Sequence, residues 1–133
     1  MLRDTAGLGS QWHILDVHYK IYAQDGYIQP MTEAMERLMM RHRIRIDDIA
    51  EIRIDSYKAA VAMMGVEKNR WAPTTRETAD HSLPYLLSLG FIDGGITTKS
   101  FTPERIADPA LNALMQKIKI TENKSFTAAF PGK

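Results

Sequence analysis

Asp80-His81-Ser82-Leu83-Pro84-Tyr85-Leu86-Leu87-Ser88-Leu89-Gly90-Phe91-Ile92-Asp93-Gly94-Gly95 opens on polar residues and closes on a glycine pair. Leu83, Leu87 and Phe91 recur at spacings of four, the period of a helix that buries one face. Pro84 fits a first turn, where backbone N–H groups lack helical partners. Asp80 or Ser82 is placed to cap the start, and Gly94-Gly95 stops the helix.

On the C-terminal side, Thr102-Pro103 and Asp108-Pro109 each read as a capping side chain followed by proline at the first helical position. Leu111, Leu114, Met115 and Ile118 form the apolar stripe of the second of these helices, and residues 117–121 continue as a strand. On the N-terminal side, residues 66–78 carry Pro73 and several polar residues and read as a loop pinned by Trp71. Tyr57 to Met64 is rich in Ala and Met, and predicts a short helix ending at Gly65. Glu51-Ile52-Arg53-Ile54-Asp55 alternates strictly, as a half-buried strand does. Met31, Met35, Leu38 and Met39 mark an amphipathic helix over residues 30–42. Before it, Trp12 to Ala23 has the aromatic and β-branched content of an extended segment, broken at Asp25-Gly26. The expected architecture is therefore a single α+β domain over residues 1–133, a small antiparallel sheet packed with several helices.

The composition suits one water-soluble core. The chain has 133 residues, 44% of them hydrophobic and 25% charged, so disordered and collagen-like classes are excluded. Eighteen apolar residues nowhere run together and the N-terminus has no signal-peptide core, which argues against membrane spanning and secretion and suits a cytoplasmic protein. Seventeen Lys and Arg balance sixteen Asp and Glu, so no long-range field points to nucleic acid. The run Arg37, Arg41, His42, Arg43, Arg45 is flanked by acids and lacks interleaved aromatics, as a solvated helix end would be.

No cysteine is present, which removes disulfides, thiolate metal centres and a thiol nucleophile. His13, His18, His42 and His81 show no paired helical spacing for a metal; no metal or cofactor site is read. His81 stands out because Asp80 precedes it at a helix start, where a carboxylate can orient an imidazole or hold its proton. The alternative is a capped helix with a locally bonded ring. Lys20 follows an apolar segment and precedes the Gln24-Asp25-Gly26 turn, a place for an ammonium that meets a ligand carboxylate or simply faces water.

Residues 71–85, with the core Ala79-Asp80-His81-Ser82-Leu83-Pro84-Tyr85, resemble the MmgE/PrpD family of 2-methylcitrate dehydratases and cis-aconitate decarboxylases. Lys20-Ile21-Tyr22-Ala23, Asp47-Asp48-Ile49 and residues 91–97 resemble further elements in the family's order. The likeness extends from about residue 8 to the end and concerns the smaller domain, the lid, of proteins that also have a large helical domain. It implies a lyase acting on a small polycarboxylate, with Lys20 in the active site, Asp80 and His81 as catalytic candidates, and Gln29, Asp25 and Arg76 on the substrate side. Three positions depart from the pattern: Ala23 replaces proline, Asp25 stands where the decarboxylases have histidine, and Gln29-Pro30 replaces a His-Pro pair. Glutamine can hydrogen-bond a substrate but is no base near neutral pH. The implied partners are the polycarboxylate, the helical domain and a second copy in a homodimer; the isolated chain is expected to be inactive. A non-catalytic module that binds a small acid or a protein is the competing expectation.

Overall fold

In the computed structural model, residues 12–130 are described. After a 3-10 turn at His13–Asp16 and another at Gly26–Ile28 comes helix α1 (Gln29–His42), with Pro30 in its first turn. It buries Thr32 and Met35 and ends where Arg43 takes a left-handed conformation, φ 47°, and donates its N–H to the Met39 carbonyl at 2.9 Å. Strand β1 (Ile52–Ser56) and helix α2 (Lys58–Met64) follow.

Two short helices, α3 (Lys68–Trp71) and α4 (Arg76–Asp80), occupy most of the stretch expected to be a loop. Trp71 does anchor it, its indole N–H donating to the Gly65 carbonyl at 2.7 Å. The Thr75 and Thr78 side chains start α4 by a reciprocal capping box that the apolar period could not reveal.

Helix α5 (Leu83–Asp93) is the centre of the fold. Every residue from Ser82 to Phe91 is buried, so the helix is apolar all round rather than striped. Ser82 provides the cap, its Oγ accepting the Tyr85 N–H at 3.1 Å. The Tyr85 hydroxyl donates to the Ser100 carbonyl at 2.7 Å, which satisfies the polar atom of a fully buried ring. Gly90 permits the contact with α1, because a Cβ there would overlap the Met35 thioether. Gly94 closes the helix with φ 72°.

A 3-10 turn, α6 (Pro103–Ile106) and α7 (Pro109–Met115) lead to β2 (Ile118–Glu122) and α8 (Lys124–Ala129). Thr102 and Asp108 cap α6 and α7 as expected.

The sheet corrects the sequence reading. Among the described residues it has two strands, and they run parallel, from Ile52 opposite Ile118 to Ser56 opposite Glu122. An antiparallel pair can be closed by a hairpin, whereas here six helices lie between the strands, and such a crossover returns the chain to the end from which β1 started. Alternation within each strand is the same for either direction, so it could not decide between them. The segment before Asp25 also departs from expectation: it forms a turn and irregular backbone and joins no sheet.

Candidate functional site

The polar residues of interest converge where the loop at residues 21–28 meets the end of α4. The two backbones are stitched together, the Asp25 N–H donating to the Asp80 carbonyl at 3.2 Å. Asp25 uses its Oδ1 to accept the Tyr27 N–H at 2.8 Å, capping the Gly26–Ile28 turn. Its other oxygen, Oδ2, faces Nε2 of His81 at 3.8 Å.

His81 is half-buried just past the last residue of α4. Its Nδ1 bonds the Asp80 carboxylate and lies 3.1 Å from the Glu77 carbonyl. Both partners are acceptors, so Nδ1 carries the hydrogen and the ring is held in one orientation. Nε2 remains as the nitrogen able to take or give a proton. An imidazole fixed by a carboxylate on one nitrogen and open on the other is the arrangement general acid–base chemistry uses.

Glu77, which the sequence reading passed over, joins this cluster: its Oε1 lies 3.8 Å from Nδ1. The signal was available, since residues 77 and 81 are one helical turn apart. Glu77, Asp80 and His81 bring ligand atoms within 4.8 Å of one another. Nδ1 is committed to Asp80 and Glu77 is largely exposed, so the arrangement satisfies itself by hydrogen bonding.

The other sequence candidates are placed differently. Gln29 clasps the loop, its Oε1 accepting the Ile21 N–H at 2.9 Å and its Nε2 donating to the Tyr22 carbonyl at 3.2 Å. Gln24 and Thr32 form a buried side-chain pair at 2.7 Å beneath that clasp. The Tyr22 hydroxyl donates to Glu36 at 2.7 Å, and this bond to a carboxylate, with some desolvation, raises its pKa to about 12. Lys20 is exposed on the segment leading into the loop. Arg76 is exposed at the start of α4, its guanidinium 6.0 Å from the centre of the Phe101 ring. The structure thus brings Asp25, Asp80 and His81 together, and leaves Lys20 and Arg76 as cations on the surface.

Residues 22–133 match the profile of the MmgE/PrpD C-terminal domain. The chain belongs to the MmgE/PrpD family. It is 30% identical over 84 residues to the mitochondrial 2-methylcitrate dehydratase of Yarrowia lipolytica, an alignment covering 63% of this chain and 16% of that protein. It is 24% identical to the cis-aconitate decarboxylase of Aspergillus terreus over 92% of this chain and 26% of that enzyme. The chain therefore spans about a quarter or less of the curated MmgE/PrpD relatives it matches. The cluster of Asp25, Asp80 and His81 lies inside the matched residues, and Lys20 lies two residues before them.

Proposed function

We propose that this chain is the lid portion of an MmgE/PrpD lyase that removes water from, or adds it to, a small polycarboxylic acid. The observation that carries the proposal is the imidazole of His81, oriented by Asp80 and presenting Nε2 at the seam between the loop and α4. In dehydration a base takes the proton next to a carboxylate, the carbon–oxygen bond breaks, and the departing hydroxyl takes up a proton and leaves as water. His81 is the proton-handling group in this reading, and Lys20 and Arg76 bind the anion. Gln29 orients the substrate side of the site through its hold on the loop that follows Lys20.

Electrostatics supports a composite site. Three carboxylates, Glu77, Asp80 and Asp25, surround one imidazole, an arrangement that repels a polyanion, so Lys20 and Arg76 need further cations beside them. A helical domain of the kind the longer relatives have room for would provide them, together with most of the acid–base groups. Among the described residues no helix is long and apolar enough to cross a membrane.

Titration calorimetry of the 133-residue chain with 2-methylcitrate and cis-aconitate tests the composite site. No binding and no turnover are expected for the chain alone, and both should appear once it is joined to a helical domain from a longer relative. In that joined enzyme His81→Ala should lower kcat at least a hundredfold, the scale of a lost general acid–base group. Submicromolar binding by the isolated chain would establish a stand-alone binding module in place of the lid.

A further inference from the structure

Parallel strands gather their carboxyl ends on one side of a sheet, and in open parallel sheets ligands bind beyond those ends. Here β1 and β2 both end on that side, at Ser56 and Glu122. The residue after Ser56 is Tyr57, which caps the start of α2. Helix α2 packs against the Gly26–Ile28 turn, whose cap is the Asp25 carboxylate. The strand end therefore adjoins the loop that brings Asp25 to His81.

Three aromatic rings meet at this junction. Tyr57 lies face to face with Phe130, ring centres 4.4 Å apart and planes 10° from parallel, and Tyr27 is tilted against both at 6.2 and 6.3 Å. Phe130 follows α8, which is tied to the same spot by the Lys58 N–H donating to the Thr127 hydroxyl at 2.9 Å. Packed on two sides, the Tyr57 ring is held in place. Its hydroxyl, however, has no hydrogen-bond partner among the described residues and is not sealed from solvent, whereas the phenols of Tyr22 and Tyr85 are both paired. Burial, then the neighbouring Tyr27 and Asp25, push the Tyr57 phenol up, so it stays a neutral O–H donor and lies within reach of the Asp25 charge. Asp25 does not capture it: Oδ1 accepts the Tyr27 N–H and Oδ2 faces His81.

We propose that Tyr57 is a further substrate-binding residue, its hydroxyl donating a hydrogen bond to a carboxylate of the polycarboxylic acid on which His81 acts. The inference rests on the lyase reading and adds to it a donor that carries no charge. Such a donor suits this place. A lysine or arginine set beside Asp25 would pair with that carboxylate and be lost to the substrate, whereas a phenol gives a substrate carboxylate a short, charge-assisted bond without bringing a charge of its own. Because Phe130 and Tyr27 already hold the ring, little side-chain freedom is given up when the acid binds.

Calorimetric titration with 2-methylcitrate, and kinetics beside it, test the assignment in the enzyme joined from this chain and a helical domain. Tyr57→Phe keeps the three-ring packing and removes one oxygen. It should raise Kd and KM together by about tenfold or more, the scale of a hydrogen bond to a charged group, with kcat within about twofold of the parent. His81→Ala should instead act on kcat. Tyr57→Phe with the affinity of the parent would overturn the assignment and leave Tyr57 a packing residue, while the lyase reading stood. A parent enzyme that binds no polycarboxylate would overturn the lyase reading and this assignment with it. The 133-residue chain offers a check that needs no substrate. Asp25→Asn still accepts the Tyr27 N–H, and it should lower the pH at which the Tyr57 ring-carbon resonance titrates. An unmoved midpoint would place the hydroxyl away from Asp25 and overturn the assignment as well.

Discussion

Helix α5 and the arm at residues 12–21 are both rich in large apolar side chains, and their fates are opposite. From Ser82 to Phe91 every residue is buried, whereas the six large apolar residues of the arm face solvent. Hydrophobicity sets the tendency to leave water; a partner surface decides whether burial happens. Helix α5 finds α1, α3, α4 and α7 around it. The arm has no such neighbours, and its Trp, Tyr, Val and Ile content is suited to a sheet that the single chain does not extend to it.

The contrast is sharpest if it is attacked at its buried side. Leu86 is wholly buried, so Leu86→Ala should lower unfolding stability by about 2–5 kcal/mol in urea titration, the usual cost of a large-to-small core substitution. A loss similar to that of an arm substitution would erase the distinction. Next in size is Tyr85→Phe, which leaves the Ser100 carbonyl unpaired in the core and should cost about 1–3 kcal/mol.

That variant also carries a pH signature. Burial raises the Tyr85 pKa from 10.0 to about 12. The folded state therefore favours the neutral phenol; this contribution is complete below pH 10 and is lost as pH rises toward 12. Stability of the parent chain should fall across that interval, and Tyr85→Phe should flatten the fall. Tyr22, raised to about 12 chiefly by its bond to Glu36, acts in the same direction, so Tyr22→Phe removes a further part. The smallest effect is expected in the arm: Leu15→Ser should change unfolding of the dilute chain by no more than about 0.5 kcal/mol. A larger loss would mean that the arm packs on its own body.

Legibility in the sequence followed the range of the interactions. The helices at residues 29–42 and 83–93, their prolines, and the caps at Ser82, Thr102 and Asp108 depend on neighbours within a turn or two, and they were readable. Strand direction depends on how the intervening helices return the chain, and alternation at Ile52 and Ile54 is silent about it. The site divides similarly. Asp80 beside His81 is a local pairing and was visible. The approach of Asp25 to the far side of the ring joins residues 56 positions apart through a backbone contact that no period records. Gln29 was noticed as a departure from the family pattern, but its part as a clasp on Ile21 and Tyr22 required the loop's actual path.

The parallel ladder has a kinetic consequence. Asp55 and Thr121, bonded at 2.5 Å, are 66 residues apart, whereas α5 and its caps close within a few positions. Joining the strands means first closing a loop of that length, an entropic cost that contacts made within α2 to α7 reduce as they form. The helical layer should therefore collapse before β1 and β2 meet. Substitutions at Ile54 or Ile120 would then speed unfolding more than they slow folding, and those in α5 would do the reverse.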